Sequence, residues 1–258
     1  MGLGIGLGIG WAAEPGRSQA LSLPTAAPNM VSASMTLPPL QAHPLPPALA
    51  QWQDSSQQGD YFDAIQPTPA GYLIWSRFPV RVYIQSASPE ATPERFQMWL
   101  TAVNQALTEW TTYIPLQPVD TPDAADITIW NSAPPLQGPI PFDTAAETSH
   151  PSSLVERLPR VRAAETRYEF RIDSSDGTAR LSHRFTIYLS PNQTDRYIQA
   201  TARHELGHAL GIWGHSPSPT DALYFSQVRE PPAISVRDIN TLKRIYEQPT
   251  RLGWTVSF

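Results

Sequence analysis

The chain has 258 residues, and its 18 lysines and arginines against 23 aspartates and glutamates give a net charge of −5 at pH 7. This mildly acidic balance argues against nucleic acid and anionic membranes as partners. The chain has no cysteine, which excludes disulfides, thiolate metal ligands and cysteine nucleophiles, so any metal must be held by His, Asp or Glu. The 28 prolines, about twice the average usage, predict a large share of extended loop.

Residues 1–70 are predicted to be a leader and a proline-rich tail or pro-segment that precede the folded domain. Residues 1–50 contain eight prolines and only two charges, Glu14 and Arg17, without lasting periodicity. The uncharged run of residues 1–13 has the length of a signal-peptide hydrophobic region, although it lacks a basic start, and it is too short to span a bilayer. We therefore expect a secreted, periplasmic or cell-surface protein, with an uninformative glycine-rich tail as the alternative.

Residues 71–258 are predicted to form one domain, whose first elements follow in order along the chain. Apolar and polar side chains alternate over residues 80–84, which is typical of a half-buried strand. Thr92 can cap a long amphipathic helix whose apolar residues recur at helical spacing as far as Trp110. Residues 126–130 predict a second strand, and a proline-rich loop of about 35 residues follows it.

Two more strands are predicted on either side of an acidic turn. The strands cover residues 168–172 and 184–189, and residues 173–177 between them, DSSDG, have the composition of a hairpin turn. The two aspartates of this turn are the alternative site for a structural Ca²⁺, although no further ligand spacing accompanies them. Near the C-terminus, Ser235 and Asp238 have the spacing of a capping box that starts a final helix.

The candidate active site is the segment His204-Glu205-Leu206-Gly207-His208. Helical side chains four residues apart differ by about 40° in direction, so His204 and His208 are expected to point into the same space. Neutral imidazole is a good ligand for Zn²⁺, whose catalytic sites take three protein ligands and leave one position for water. Glu205 would lie beside that water without ligating the metal, and it is predicted to act as the general base.

His215 is the predicted third zinc ligand. Gly211 follows His208 by three residues and is expected to end the helix and redirect the chain. Three of the six histidines of the chain fall within residues 204–215, which favours a metal site over a solvated helix face that carries the motif by chance. Asp221 is the alternative third ligand, and its other predicted role is to brace the following turn through backbone hydrogen bonds.

With these motifs the chain resembles the metzincin clan of zinc peptidases, and within it the matrixin-like bacterial secreted proteases. The similarity is carried by residues 204–211, 214–216 and 221–224, and it extends over about residues 71–249. It implies an α+β zincin fold with a twisted, mainly parallel sheet, long helices, an active-site helix and a C-terminal helix. It also implies hydrolysis of a polypeptide substrate, with residues 184–189 as the sheet edge that pairs with the substrate.

Two departures from the pattern of the clan lie close to the site. Three residues instead of two separate Gly211 from His215, and we expect Gly214 to take the positive φ angle that loops out the extra residue. Leu223 stands where the clan has a methionine below the zinc, and such volume-conserving swaps cost under about 1.5 kcal/mol. Tyr224 is predicted to pack beside this floor, with support of the oxyanion by its hydroxyl as the alternative.

The leading functional prediction is a zinc-dependent endopeptidase that hydrolyses peptide bonds by metal-activated water. The alternative is a catalytically silent zinc-containing module that recognises a protein partner, but a structural site has no use for a carboxylate such as Glu205 beside an open coordination position. A zincin that takes Glu230 or Glu247 as its third ligand is disfavoured, because Gly211 interrupts the helix that would have to continue.

The sequence also bears on how the metal site could be blocked before activation and on the oligomeric state. A pro-segment cysteine cannot block the metal because the chain has none, so Asp54, Asp60 or Asp63 is the candidate carboxylate plug, with an acidic linker as the alternative. We expect a monomer whose partner is a polypeptide substrate, without nucleic acid and without a stable membrane span.

Overall fold

A computed structural model describes residues 36–86, 91–135 and 162–257 of the chain. The predicted leader at residues 1–13 and most of the proline-rich loop after residue 130 lie outside the described residues. The helices and strands in the described part are α1 (Pro47–Gln51), β1 (Val80–Ile84), α2 (Pro93–Thr111), β2 (Leu116–Val119), β3 (Ile127–Trp130), β4 (Ala164–Asp173), β5 (Arg180–Leu189), α3 (Asp195–Ala209) and α4 (Val236–Tyr246). None of these helices is long and apolar enough to cross a membrane.

The five strands form one sheet in the order β2-β1-β3-β5-β4. Strands β2, β1, β3 and β5 run parallel to their neighbours, and β4 is antiparallel to β5. The predicted α+β fold with a mainly parallel sheet is therefore confirmed. Strands β1 and β3 lie where the sequence pattern places them, whereas α1 and the short strand β2 have no counterpart among the predicted elements.

The prediction that residues 184–189 form the free edge of the sheet is wrong. These residues belong to β5, which pairs with β3 on one side and with β4 on the other. The hairpin turn makes β4 and β5 neighbours, and the alternation pattern does not say which of them enters the sheet. Every second side chain of β5 is buried, as fits an inner strand, whereas Phe170 and Ile172 of β4 are 39% and 38% exposed, as fits an edge strand.

Helix α2 begins as the sequence predicts, because the side chain of Thr92 accepts a hydrogen bond from the amide of Arg95. Its buried face connects the sheet to the motif helix. The indole nitrogen of Trp99 donates to the carbonyl of Leu189 on β5, and that of Trp110 donates to the carbonyl of Arg203 on α3. Both indole rings are fully buried, and their polar atoms find the partners that burial requires. Helix α2 thus fixes α3 against the sheet.

Some residues before position 71 pack into the folded part, since the described residues from position 36 onward group into one compact unit. Short backbone bridges join Thr36 to Ser257 and Gln41 to Thr250, and Leu49 of α1 is fully buried. Isolated anchors of this kind have no periodicity, so a pattern search over residues 1–70 does not detect them. A processing boundary near residue 70 stays a prediction.

The acidic turn between β4 and β5 forms the predicted hairpin, with Gly177 at a φ of +79°. Asp173 and Asp176 both contact the guanidinium of Arg77, at 3.3 Å and 2.7 Å. Each carboxylate also accepts a hydrogen bond from a backbone amide of the turn. Arginine and amide donors occupy the oxygens that a calcium ion would need, so nothing in this turn supports calcium.

Candidate metal centre

Helix α3 presents the motif because its two sides differ in character. Its back is apolar and buried, and the imidazoles of His204 and His208 are turned away from that side. Glu205 lies next to the apolar back and is itself buried. The buried apolar residues are Ile198, Ala202, Leu206 and Ala209. The helix ends in a Schellman motif at Gly211, where the amide of Gly211 donates to the carbonyl of His208 and that of Ile212 donates to the carbonyl of Gly207. Gly211 has a φ of +126°, and a Cβ there would lie 2.6 Å from the carbonyl oxygen of Leu73. Glycine is thus required where the chain turns back toward the site.

The extra residue before His215 is absorbed differently from the prediction. Gly214 has no positive φ, so the expected conformational reason for glycine at this position is wrong. Two successive tight turns take up the residue, in which the amide of Trp213 donates to the carbonyl of Gly211 and that of Gly214 donates to the carbonyl of Ile212. A Cβ on Gly214 would lie 2.4 Å from the carbonyl oxygen of Ala64. Close approach of residue 64 explains this glycine.

The three predicted histidine ligands come together in space. One ligand atom from each of His204, His208 and His215 lies within 4.8 Å of the others, and no other such group of His, Asp or Glu occurs among the described residues. His204 and His208 lie with their Nε2 atoms 3.1 Å apart. The exposed ring of His215 stacks on His204 at a centroid distance of 5.3 Å.

Hydrogen bonds fix the tautomers of the first two rings. Nδ1 of His204 lies 2.9 Å from the carbonyl oxygen of Ala222, and Nδ1 of His208 lies 2.7 Å from that of Ile212. A carbonyl only accepts, so both protons reside on Nδ1 and the two Nε2 lone pairs face each other. Burial lowers the pKa of His208 well below its usual range, which keeps this ring neutral. Two lone pairs 3.1 Å apart repel each other unless a cation lies between them. Zn–N bonds of about 2.0–2.1 Å place tetrahedral nitrogens about 3.3 Å apart, so this pair of nitrogens could hold a zinc ion.

The matrixin family model matches residues 75–247, which is more than half of the chain. This protein belongs to the matrixin family. The match confirms the resemblance to the metzincin clan, and the zinc that matrixins bind agrees with the donor set of the three imidazoles. No curated protein matches the chain at a significant level.

Glu205 of this matrixin is buried beside the histidines. Glu205 is 8% exposed, and burial raises the pKa of its carboxyl group. Oε2 accepts a hydrogen bond of 2.6 Å from Oγ1 of Thr166 on strand β4. Thr166 is not recognisable as a site residue from the sequence, since a single threonine in a strand has no spacing that points to a glutamate 39 positions away.

The predicted floor residue, Leu223, is fully buried below the motif helix. A Cβ on Gly207 would lie 2.6 Å from Cδ2 of Leu223, so the glycine of the motif makes room for the leucine. The backbone after His215 is tied to the same turn, because the amide of Ser216 donates to the carbonyl of Leu223. Leu223 therefore fills the position below the site that a methionine occupies in the clan.

The turn that carries Leu223 is braced by Asp238 rather than by Asp221. The fully buried carboxylate of Asp238 accepts hydrogen bonds from the backbone amides of Ala222 and Leu223 as well as from its own capping box. Asp221 makes no backbone bond to this turn through its side chain. It accepts from the hydroxyl of Ser216 and from Nε of Arg237, and it lies outside the histidine group.

A cavity of about 280 Å³ opens next to His204 and Glu205. The N-terminal end of β4 forms one side of it, and the other residues around it are largely apolar, among them Tyr197, Ala222, Tyr224, Phe225, Val228 and Pro231. Tyr224, the predicted packing or oxyanion residue, thus lines the cavity beside the base and contacts the ring of Phe225 at 4.4 Å.

The candidate carboxylate plugs do not reach the histidines. Asp54 accepts hydrogen bonds from Ser56 and Asn240, and Asp60 pairs with Arg244 of helix α4. Among the described residues, Asp63 also lies outside the histidine group, as do the alternative ligands Glu230 and Glu247. In this arrangement none of the three aspartates blocks the metal position.

Proposed function

We propose that this matrixin is an active zinc endopeptidase that cleaves peptide bonds in polypeptides. The observation that carries the proposal is the buried carboxylate of Glu205 next to three imidazoles whose free nitrogens converge. A zinc ion held by His204, His208 and His215 would polarise the scissile carbonyl and lower the pKa of an attacking water toward 7. A site built only to stabilise the fold would gain nothing from a buried carboxylate in this place.

Glu205 supplies the proton transfers of the reaction. Oε2 is held by Thr166, and no hydrogen bond to Oε1 is formed within the described residues, which leaves Oε1 to take the proton of the attacking water. Burial raises the pKa of the carboxyl group, which favours acceptance of this proton and its later transfer to the departing amine.

Strand β4 and the adjacent cavity supply the binding of an extended chain. Strand β4 pairs on one side only among the described strands, so its outer edge can add a substrate strand through backbone hydrogen bonds. The largely apolar cavity beside Glu205 fits the side chain of a residue next to the scissile bond. Backbone pairing suits many sequences, whereas the cavity supports a preference for apolar residues.

Digestion of a denatured protein mixture, with and without a zinc chelator, tests the proposal. Wild-type protein should produce fragments, the chelator should stop the reaction, and added Zn²⁺ should restore it. Glu205→Gln should keep its zinc and its thermal unfolding profile and lose cleavage by a factor of about 10² to 10⁴. A zinc-loaded wild type that cleaves nothing would favour the silent binding module, and near-normal cleavage by the variant would exclude Glu205 as the base.

We also propose that the protein is exported and acts as a monomer. The apolar run of residues 1–13 supports export, and the mildly acidic net charge supports solubility. Cell fractionation of the tagged full chain, with a charge introduced into this run as the control, tests export. Light scattering of the purified protein tests the monomer, and a concentration-independent dimer mass would refute it.

A further inference from the structure

Thr166 connects the edge strand β4 to the carboxylate of Glu205. Its Oγ1 lies 2.6 Å from Oε2 of Glu205 and 3.2 Å from the backbone oxygen of the same residue. A hydroxyl can donate only one hydrogen bond. Thr166 donates it to the carboxylate and not to the backbone oxygen, because ionised acceptors form the shorter and stronger hydrogen bonds. Thr166 and Glu205 are 9% and 8% exposed, so bulk water competes little for this bond.

Both ends of this hydrogen bond are held by regular structure. Thr166 lies within β4, opposite Ile187 of the antiparallel neighbour β5, which fixes its backbone. Its β-branched side chain has few accessible χ1 rotamers, so the hydroxyl has a defined direction. Glu205 lies near the C-terminal end of α3 and has three rotatable side-chain bonds, of which the helix restricts χ1 and leaves χ2 and χ3 free. The threonine is thus the rigid partner and the glutamate is the flexible one.

We propose that Thr166 is a positioning residue for the general base. Its hydroxyl holds Oε2 of Glu205, so that Oε1 faces the position of the attacking water. The same strand offers its edge to the substrate, which ties the base and the scissile bond to one rigid element. Misplacement of a reacting group by about 1 Å can cost a factor of about 10² in rate, so loss of the hydroxyl should lower the turnover number. The inference rests on the proposed endopeptidase function.

Two substitutions separate the hydroxyl from the shape of the side chain. Thr166→Val keeps the volume and the β-branch and removes the hydrogen bond, whereas Thr166→Ser keeps the hydroxyl. Thr166→Val should lower kcat by between about tenfold and a hundredfold, with KM and zinc content unchanged. Thr166→Ser should recover most of the wild-type kcat. Thr128→Val is the matched control, because Thr128 is also a buried strand threonine with hydroxyl contacts, and it lies on β3 away from Glu205.

Binding of acetohydroxamate to the zinc-loaded protein gives a readout that does not require turnover. A hydroxamic acid that binds a metal releases a proton to a nearby base, so its affinity depends on a well-placed Glu205 carboxylate. Thr166→Val should weaken this binding about tenfold, and the serine and Thr128→Val variants should match the wild type.

Each outcome decides the question. Wild-type kcat in Thr166→Val, or a rise in KM at unchanged kcat, would overturn the positioning role, and the second result would assign Thr166 to substrate binding by the strand. Equal hydroxamate affinity in all variants would overturn it as well. If the wild type cleaves no polypeptide, the proposed function fails, and the hydroxamate affinities alone decide whether Thr166 positions Glu205.

Discussion

The carbonyl oxygen of Ala222 lies 2.9 Å from Nδ1 of His204, and this contact determines which nitrogen of the ring faces the metal position. The amide of Ala222 in turn donates a hydrogen bond to Asp238. The carboxylate of Asp238 also accepts a hydrogen bond from the hydroxyl of Tyr61, with the two oxygens 2.6 Å apart. The orientation of a zinc ligand therefore depends on helix α4 and on a residue that precedes the sheet. Partners of this kind fix the tautomer of a metal ligand and raise its basicity.

Asp238→Asn should weaken zinc binding although Asp238 is no ligand. An amide cannot accept all the hydrogen bonds that the carboxylate accepts, so the turn at Ala222 should loosen. We expect zinc affinity to fall about 10- to 100-fold and the free energy of unfolding to fall by about 2–4 kcal/mol. Competition with a chromophoric chelator and urea unfolding measure the two effects. Tyr61→Phe, which removes one of these bonds, should show the same changes at smaller size; unchanged zinc affinity in Asp238→Asn would refute the link to His204.

The third ligand can be tested by comparing His215→Ala with Asp221→Ala. The structure places His215 in the histidine group and gives Asp221 to Ser216 and Arg237. Loss of His215 should abolish tight zinc binding, whereas loss of Asp221 should mainly lower the stability, by about 1–3 kcal/mol, because the hydroxyl of Ser216 and the guanidinium lose their partner. Zinc affinity by chelator competition separates the two variants, and wild-type affinity in His215→Ala would disprove the ligand.

The parts of this matrixin that the sequence predicts are those with local signals. The cap at Thr92, the capping box at Ser235 and the strands β1 and β3 depend on residues a few positions apart, and the structure has them where predicted. The motif on α3 is equally local, since helical geometry alone brings His204 and His208 together.

Features that depend on distant contacts were not predictable from the pattern. The order of β4 and β5 in the sheet follows from tertiary packing, because both strands alternate and both adjoin the same turn. The sequence indicates a special role for Gly214, but this position requires glycine because of the carbonyl of Ala64, which is 150 positions away in the chain. Thr166 and Asp238 reach the site in the same way, through partners that only the folded chain brings near.

Leu49→Ala tests whether the segment before residue 70 belongs to the folded unit. Leu49 is fully buried on α1, so its truncation should lower the free energy of unfolding by about 2–5 kcal/mol. Leu37 lies in the same segment and is 44% exposed, and Leu37→Ala should change stability by less than about 0.5 kcal/mol. Urea unfolding of the full chain measures both. Equal, small effects would show that the segment is a loosely attached tail.

The pH dependence of stability should carry the signature of His183. Burial lowers the pKa of this histidine to about 3, against about 6.5 in an unfolded chain. As the pH falls, the unfolded state therefore binds a proton at His183 before the folded state does. The contribution of neutral His183 to the free energy of unfolding is complete above about pH 6.5. It is lost as the pH falls toward 3, at up to about 1.4 kcal/mol per pH unit. His183→Phe can keep the stacking on Trp75 and should reduce the fall of Tm between pH 6 and 4 in the metal-free protein. Identical slopes in wild type and variant would contradict this account.

The glycine inside the zinc motif should be energetically coupled to the leucine below it. A Cβ on Gly207 would lie 2.6 Å from Leu223 Cδ2, so Gly207→Ala must displace this buried leucine side chain, and we expect its turn to shift with it, at a cost of about 1–3 kcal/mol. Because the same turn carries Ala222, the carbonyl bonded to His204 should move and zinc affinity should fall. Leu223→Ala alone leaves a cavity and should cost about 2–5 kcal/mol.

In the double variant Gly207→Ala/Leu223→Ala the added methyl group enters the space that the leucine leaves. Its loss of stability should therefore be smaller than the sum of the two single losses by about 1–3 kcal/mol, measured by urea unfolding of the metal-free proteins. Gly214→Ala combined with Leu223→Ala is the matched control, because the methyl group at position 214 meets the backbone oxygen of Ala64, which truncation of the leucine cannot relieve. That pair should be additive. Additivity in the Gly207 pair as well would mean that the motif glycine is required by something other than Leu223, and the ring of Trp110, 3.1 Å from the same Cβ position, would then be the contact to remove.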